Sequence, residues 1–294
     1  MCTGFTLAHV LNLQATKIYK PRHVAKVAKA FAVIVIYFQL GFQLMGYDEA
    51  LLHNAKQIQS CIAPLIIYPS GLNVRANEWK CGGTCFFVKS ETVTFLITAA
   101  HVYDEVEKCG VEFCPLLLPV NGAELVDISQ WRMISKCEFI DIAVVEVPST
   151  FHLSSIGKEA LTYNASPETR VTVNEAVFFI GYPGEHRTAD GSNLIARITP
   201  CMDFVTSVND RAFFMSDDFR ERQSSSFDPS VSEIRFFGGL SGSPMLVVRD
   251  GIFNLVGVFI ESAFQDEGIH SPFRGAHFDF INPDGTIDEL RVPH

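Results

Sequence analysis

Positive charge is scarce in this chain. Lysine and arginine number 23 against 33 aspartates and glutamates, a formal net charge of −10 over 294 residues. That balance excludes a nucleic-acid binder working by broad attraction to phosphates, and no nucleic-acid partner is expected. Three ligand signatures are missing as well. There is no GxGxxG, no GxxxxGK[ST] and no HExxH. Cysteine occurs eight times, too thinly spread for a small disulfide scaffold. Cys81 and Cys85, with Cys109 and Cys114, have three and four intervening residues, which fit zinc knuckles only loosely. They are read as buried or half-buried free thiols, and no metal is expected. His53, His152, His186, His270 and His277 show no ligand spacing and are read as surface or loop residues.

What is present is hydrophobic. Such residues make up 48% of the chain, and 25 of them are phenylalanine, which suits strand-rich packing. The length allows two domains of ordinary size. Residues 1–57 stand apart. Lys17, Lys20, Arg22, Lys26 and Lys29 precede an uncharged run, Ala30 to Tyr47. Basic residues before an apolar run fit a membrane anchor with a cytoplasmic N-terminus. The run is at the short end for a span, and Gln39 and Gln43 interrupt it. The alternatives are a buried or surface helix, or a true start at Met45.

From Cys61 onward, short strands alternate with turns and sustained helical periodicity is absent. CFFVKSETVTFLITAAHV reads as two strands joined at Lys89 to Glu91. FIDIAVVEV (139–147) and VTVNEAVFFIGYPG (171–184) read as strands, the second entering a Gly-Pro loop. MLVVRDGIFNLVGVFI (245–260) reads as a hairpin turning at Asp250-Gly251. AHFDFINPDG (276–285) reads as a last strand and turn, and ERQSSSFDPSVSE (221–233) as a mobile loop. Many short strands at regular spacing predict an all-β protein of barrels or sandwiches.

One stretch, GGLSGSPML (238–246), crowds glycine and serine against an apolar run. Ser241 is a nucleophile only if a base can take its proton and a carboxylate can orient that base. His101, at the end of FLITAAH, and Asp141, inside the apolar FIDIAVVEV, are suitable partners. A charged Asp in such a run is costly unless hydrogen-bonded, and a His N–H meets that need. Asp104 and Asp127 are nearby rivals. Gly238, Gly239 and Gly242 permit a tight turn, and the N–H groups of Gly239 and Ser241 can aim into one pocket.

These residues resemble a family. TAAH (98–101), DIAVVEV (141–147) and GLSGSP (239–244), in that order, are similar to the motifs of trypsin-like, chymotrypsin-fold serine peptidases. CGGTCFF before the His strand, GYPG, and LVGVF after the Ser loop add to the likeness, which runs from Cys61 to about Asn282 and is nearest to bacterial members without a zymogen step. The resemblance implies two antiparallel six-stranded β-barrels, residues 58–160 and 161–294, after an N-terminal helical segment. It implies His101 as general base, Asp141 as its orienting anion and Ser241 as nucleophile. The oxyanion hole would be the N–H groups of Gly239 and Ser241, and the substrate a protein or peptide, with no cofactor. The alternatives are a catalytically weak fold acting as a peptide-binding scaffold, or an esterase.

The chain departs from the family pattern in three places. Val102 follows His101 where the family's half-cystine partner to Cys81 normally stands, so that bridge cannot form. This favours a cytoplasmic location, with a membrane-anchored one as the alternative. Leu240 stands where animal digestive members carry Asp, and no Arg-Ile-Val-Gly-Gly site precedes CGGT. Activation by N-terminal insertion is therefore not expected. In the specificity pocket, the pattern puts Arg235 near the floor and Ile260, Glu261 and Ser262 along the wall. An Arg there suits an acidic substrate side chain.

Overall fold

The computed structural model describes residues 58–69, 81–109, 113–117, 126–165, 170–190, 193–215, 223–224, 238–265 and 269–293. The expectations for residues 1–57, including the anchor at 30–47 and the N-terminal helical segment, lie outside them, as does most of the 221–233 loop. No helix among the described residues is long and apolar enough to cross a membrane.

The architecture is all-β, in two main sheets. The first contains β1 (Ile62–Pro69), β2 (Cys81–Lys89), β3 (Thr94–Ala99), β4 (Phe113–Leu117), β5 (Val126–Asp127), β6 (Met133–Cys137), β7 (Ile142–Glu146) and β8 (Leu161–Thr162). Its order is β5-β4-β1-β2-β3-β7-β6, with β8 added in parallel to β2. A helix, α1 (Ala100–Cys109), follows β3 without a loop. The second half of the chain contributes β9 (Ala176–Gly181), β10 (Arg187–Asp190), β11 (Asn193–Ala196), β12 (Thr199–Val208), β13 (Ala212–Met215), β14 (Gln223–Ser224), β15 (Pro244–Arg249), β16 (Ile252–Gln265) and β17 (Ile269–His277). Here the order β13-β17-β16-β15-β9-β12 returns to β13, so six strands close a barrel. β14 hangs on β12, and β10 and β11 form a separate hairpin.

Local sequence explains much of this. The β15–β16 turn puts Asp250 at φ 52° and Gly251 at φ 79° between paired Arg249 and Ile252, the mirror-image turn that suits strand twist. β3 and β7 are buried almost throughout and pair antiparallel. The closed barrel is filled by a phenylalanine cluster. Phe179 stacks on Phe259 with centroids 5.0 Å apart, and Phe273 meets both edge-on. Leu240 is fully buried in this same core, so the chain just before Ser241 is anchored by apolar packing.

The strands are shorter than the apolar runs suggested. The 139–147 run is strand only from Ile142, because Asp141 takes the left-handed conformation at φ 57° and turns the chain. The 171–184 run is strand only from Ala176, since Asn174 (φ 68°) closes a turn and Glu175 accepts the Thr172 N–H. β17 ends at His277, and Phe278–Phe280 form a 3-10 turn instead of a continued strand. Helix α1 was not foreseen. Ten residues with Ala100, Val102 and Tyr103 buried are too few to show a helical period. His186 and His277 are also not surface residues. Both are buried, with His186 Nδ1 2.8 Å from Thr199 Oγ1 and His277 Nε2 2.9 Å from the Asn209 carbonyl.

A buried lysine sets a pH signature. Lys158 is 3% exposed, and burial pulls its amine down from 10.5 to about 8. Burial pushes the Cys61 and Cys85 thiols up from 9.0 to about 12. From pH 8 upward, the unfolded chain keeps the Lys158 proton that the folded chain has lost, so stability rises with pH. Above pH 9, the unfolded chain loses thiol protons that the folded chain keeps, at Cys61, at Cys85 and at Cys201, whose thiol burial also pushes up, so stability falls, and three thiols outweigh one lysine. Denaturant melts are expected to show maximal stability between about pH 8 and 9. Lys158→Met is expected to add on the order of 2–3 kcal/mol at pH 7 and to abolish the rise above pH 8.

Candidate active site

His101 is the second residue of α1, not the end of a strand. β3 delivers it from the first sheet and the helix turns its ring outward, leaving the side chain 48% exposed. Asp141, 17% exposed, grips it twice. Oδ1 accepts the His101 backbone N–H at 2.9 Å, and Oδ2 lies 2.7 Å from Nδ1. The Asp141 carbonyl accepts the Ala100 N–H at 3.1 Å. One residue therefore caps the start of α1 and orients the imidazole. A carboxylate is favourable at a helix N-terminus, and Asp tolerates the left-handed conformation that aims it there. With Nδ1–H donating to the carboxylate, Nε2 carries the basic lone pair.

The rivals are engaged elsewhere. Asp104 pairs with Lys136, and Asp127 accepts the Ser129 N–H at 2.8 Å.

Ser241 sits half-buried in the Gly238–Gly242 turn. Its carbonyl accepts the Thr84 N–H at 2.9 Å, tying the turn to β2. The neighbouring Gly83 leaves the room. A Cβ there would lie 2.7 Å from the Ser241 oxygen and 2.8 Å from Val102 Cγ1. Ser241 and the residue after His101 thus flank the same glycine. Gly242 packs on the β3–α1 junction itself. It sits at φ +89°, and a Cβ would lie 3.0 Å from the Ala99 nitrogen while overlapping the Thr84 carbonyl and Thr98 Oγ1. Gly242→Ala is expected to cost on the order of 3 kcal/mol or more, read by chemical denaturation.

The peptide planes around Ser241 are fixed by their carbonyls. The Gly238 carbonyl accepts from Gly184 N at 2.6 Å, and the Leu240 carbonyl from Ser243 N at 2.8 Å. In trans peptides the N–H points opposite to the carbonyl, so the Gly239 and Ser241 N–H groups face away from those bonds. Among the described residues, neither N–H has a hydrogen-bond acceptor.

Arg235 lies outside the described residues. Ile260 is fully buried. Glu261 and Ser262 are placed by backbone in β16, opposite Arg274 and Phe273. The Cys85 thiol is buried and donates to the Ala63 carbonyl at 3.4 Å. No group of residues that could hold a metal occurs among the described residues.

Three residues here had no signal in the sequence. Thr84 Oγ1 accepts the Tyr182 N–H at 2.9 Å and donates to the Gly239 carbonyl at 2.9 Å. Thr98 Oγ1 donates to the Thr84 carbonyl at 2.8 Å. Arg187, 7% exposed, lies under the Ser241 turn.

No family model and no curated protein matches the chain. Its solved-structure neighbours are serine proteases. It is similar to a thermostable serine protease, AL20, from an extremophilic microorganism, at 14% identity and TM-score 0.42, over 75% of this chain and 93% of that one. It is also similar to the serine protease domain of the Sesbania mosaic virus polyprotein, at 16% identity and TM-score 0.39, over 74% and 89%. At this similarity a bacterial-type subclass is not supported.

Proposed function

We propose that the chain is a serine endopeptidase acting through Ser241, His101 and Asp141. The observation that carries this reading is the double grip of Asp141 on His101, at the junction against which the Ser241 turn packs. In the first step, Nε2 of His101 takes the Ser241 hydroxyl proton as Oγ attacks the scissile carbonyl. Asp141 stabilises the imidazolium without accepting its proton. The Gly239 and Ser241 N–H groups take the developing oxyanion. His101 then protonates the leaving amine, and the acyl-enzyme is hydrolysed by water in the reverse sense. Nothing in this sequence calls on a metal or cofactor. Arg235, Ile260, Glu261 and Ser262 are the proposed specificity residues, and an arginine there favours an acidic substrate side chain.

A fluorophosphonate tests the reading without knowledge of the substrate. Labelling located by mass spectrometry on Ser241 is the expected result. Folded protein that takes no label reduces the molecule to a binding or scaffold role in the peptidase fold.

A further inference from the structure

Arg187 opens β10 and is buried beneath the Ser241 turn. The two N–H groups of its Nη2 reach three carbonyls, Tyr182 at 2.7 Å and Gly83 at 3.0 Å, with Gly239 sharing a donor at 3.4 Å. These belong to the loop after β9, to strand β2 of the first sheet, and to the turn bearing Ser241. One nitrogen thereby ties three separate segments together. Thr84 Oγ1 reinforces the third tie at 2.9 Å. Gly239 stands at φ +94°, and a Cβ on it would lie 2.9 Å from Arg187 Nη2 and 2.7 Å from Gly184 N. The backbone approaches the guanidinium this closely only because the residue is glycine.

We propose that Arg187 is a positioning residue for the oxyanion hole, a resident cation that holds both the Gly239–Leu240 peptide lying between the two donor peptides and the loop whose Gly184 N–H fixes the Gly238 carbonyl, so that the Gly239 and Ser241 N–H groups stay aimed at the substrate. The inference rests on the serine peptidase reading. The Gly239 N–H shares its peptide plane with the Gly238 carbonyl, which accepts from Gly184 N at 2.6 Å, and Arg187 anchors the loop that carries Gly184 through the Tyr182 carbonyl at 2.7 Å. Animal digestive members order this turn with an ion pair to the residue before the nucleophile. Here that residue is Leu240, fully buried in apolar core. Arg187 supplies the ordering charge from beneath the turn, at the next carbonyl toward the N-terminus, and is in place once the chain has folded. A hole held this way is formed before substrate arrives and needs no proteolytic activation.

The test compares wild type, Arg187→Lys and Arg187→Met in the full chain, using fluorophosphonate labelling rates and inhibition by phenylboronic acid, whose tetrahedral adduct puts an oxygen in the hole. Arg187→Met is expected to lose about ten- to a hundred-fold in both, in parallel, with KM for p-nitrophenyl acetate little changed. Arg187→Lys keeps the charge but its side chain ends one atom short of Nη2, and it is expected to fall between. Millimolar guanidinium is expected to restore part of the Arg187→Met loss. Folded Arg187→Met with both readouts at wild-type level overturns the proposal. If that variant does not fold, Arg187→Lys decides, and a wild-type labelling rate in it overturns the proposal equally. Wild-type protein that takes no label removes the peptidase reading and this inference with it, an outcome distinct from a labelled wild type and an unaffected variant.

Discussion

Ser241→Ala is expected to lower kcat about 10⁶-fold and to abolish fluorophosphonate labelling. The size of the loss follows from chemistry. With the hydroxyl gone, His101 has no nucleophile to activate, and only the oxyanion donors and substrate binding remain. The change is also clean. Ser241 contributes its carbonyl to packing, through the Thr84 N–H at 2.9 Å, and alanine keeps that carbonyl. Among the described residues the Ser241 side chain forms no hydrogen bond that folding would lose. Thermal or denaturant stability is therefore expected to stay within about 0.5 kcal/mol of wild type. A stable variant that still hydrolyses p-nitrophenyl acetate at the wild-type rate would make Ser241 a turn residue and nothing more.

The parts of this molecule that could be read from sequence are those governed by neighbours in the chain. The Asp250-Gly251 turn is one, because the conformation it needs is a property of those two residues. Strands β2, β3 and β15 are others, since their apolar runs are bounded by turn residues. Strand ends were harder. The 139–147 run looks continuous, yet Asp141 breaks it. That break is decided by a partner 40 residues away, because leaving the extended conformation lets the carboxylate reach two His101 nitrogens.

Burial of polar groups was the least legible property. Nothing near Arg187, Lys158, His186 or His277 in the chain says that each is covered. Their environments are assembled by segments far off in sequence. For Arg187 these are β2, the loop after β9 and the Ser241 turn. The desolvation cost of such a group depends on what it can bond to once buried, and composition does not hold that information. The proposed site residues stood out in the sequence because the chemistry proposed for them needs particular residue types. The support beneath them did not, because many residue types can donate to a carbonyl.

Asp141→Asn is expected to lower kcat and the fluorophosphonate labelling rate about 10⁴-fold while leaving the fold intact. Asparagine is as tolerant as aspartate of φ 57°, so the turn survives. The two hydrogen bonds do not. In the native arrangement both carboxylate oxygens accept, one from the His101 backbone N–H and one from its ring. Asparagine has a single acceptor for these two donors. If its oxygen keeps the backbone N–H, its amide group faces Nδ1 and donates to it, which drives the ring proton to Nε2. The imidazole then presents a proton to Ser241 where it must present a lone pair. If the amide flips, two donors meet at the backbone N–H and the start of α1 loosens. The first state costs catalysis alone; the second also costs stability, by about 1 kcal/mol, the usual size of a lost helix cap. Nitrogen NMR of the His101 ring separates them by tautomer, and a denaturant melt by stability. A folded Asp141→Asn protein labelled at the wild-type rate would leave Asp141 as a helix cap, and the base at His101 would owe its orientation to some other group.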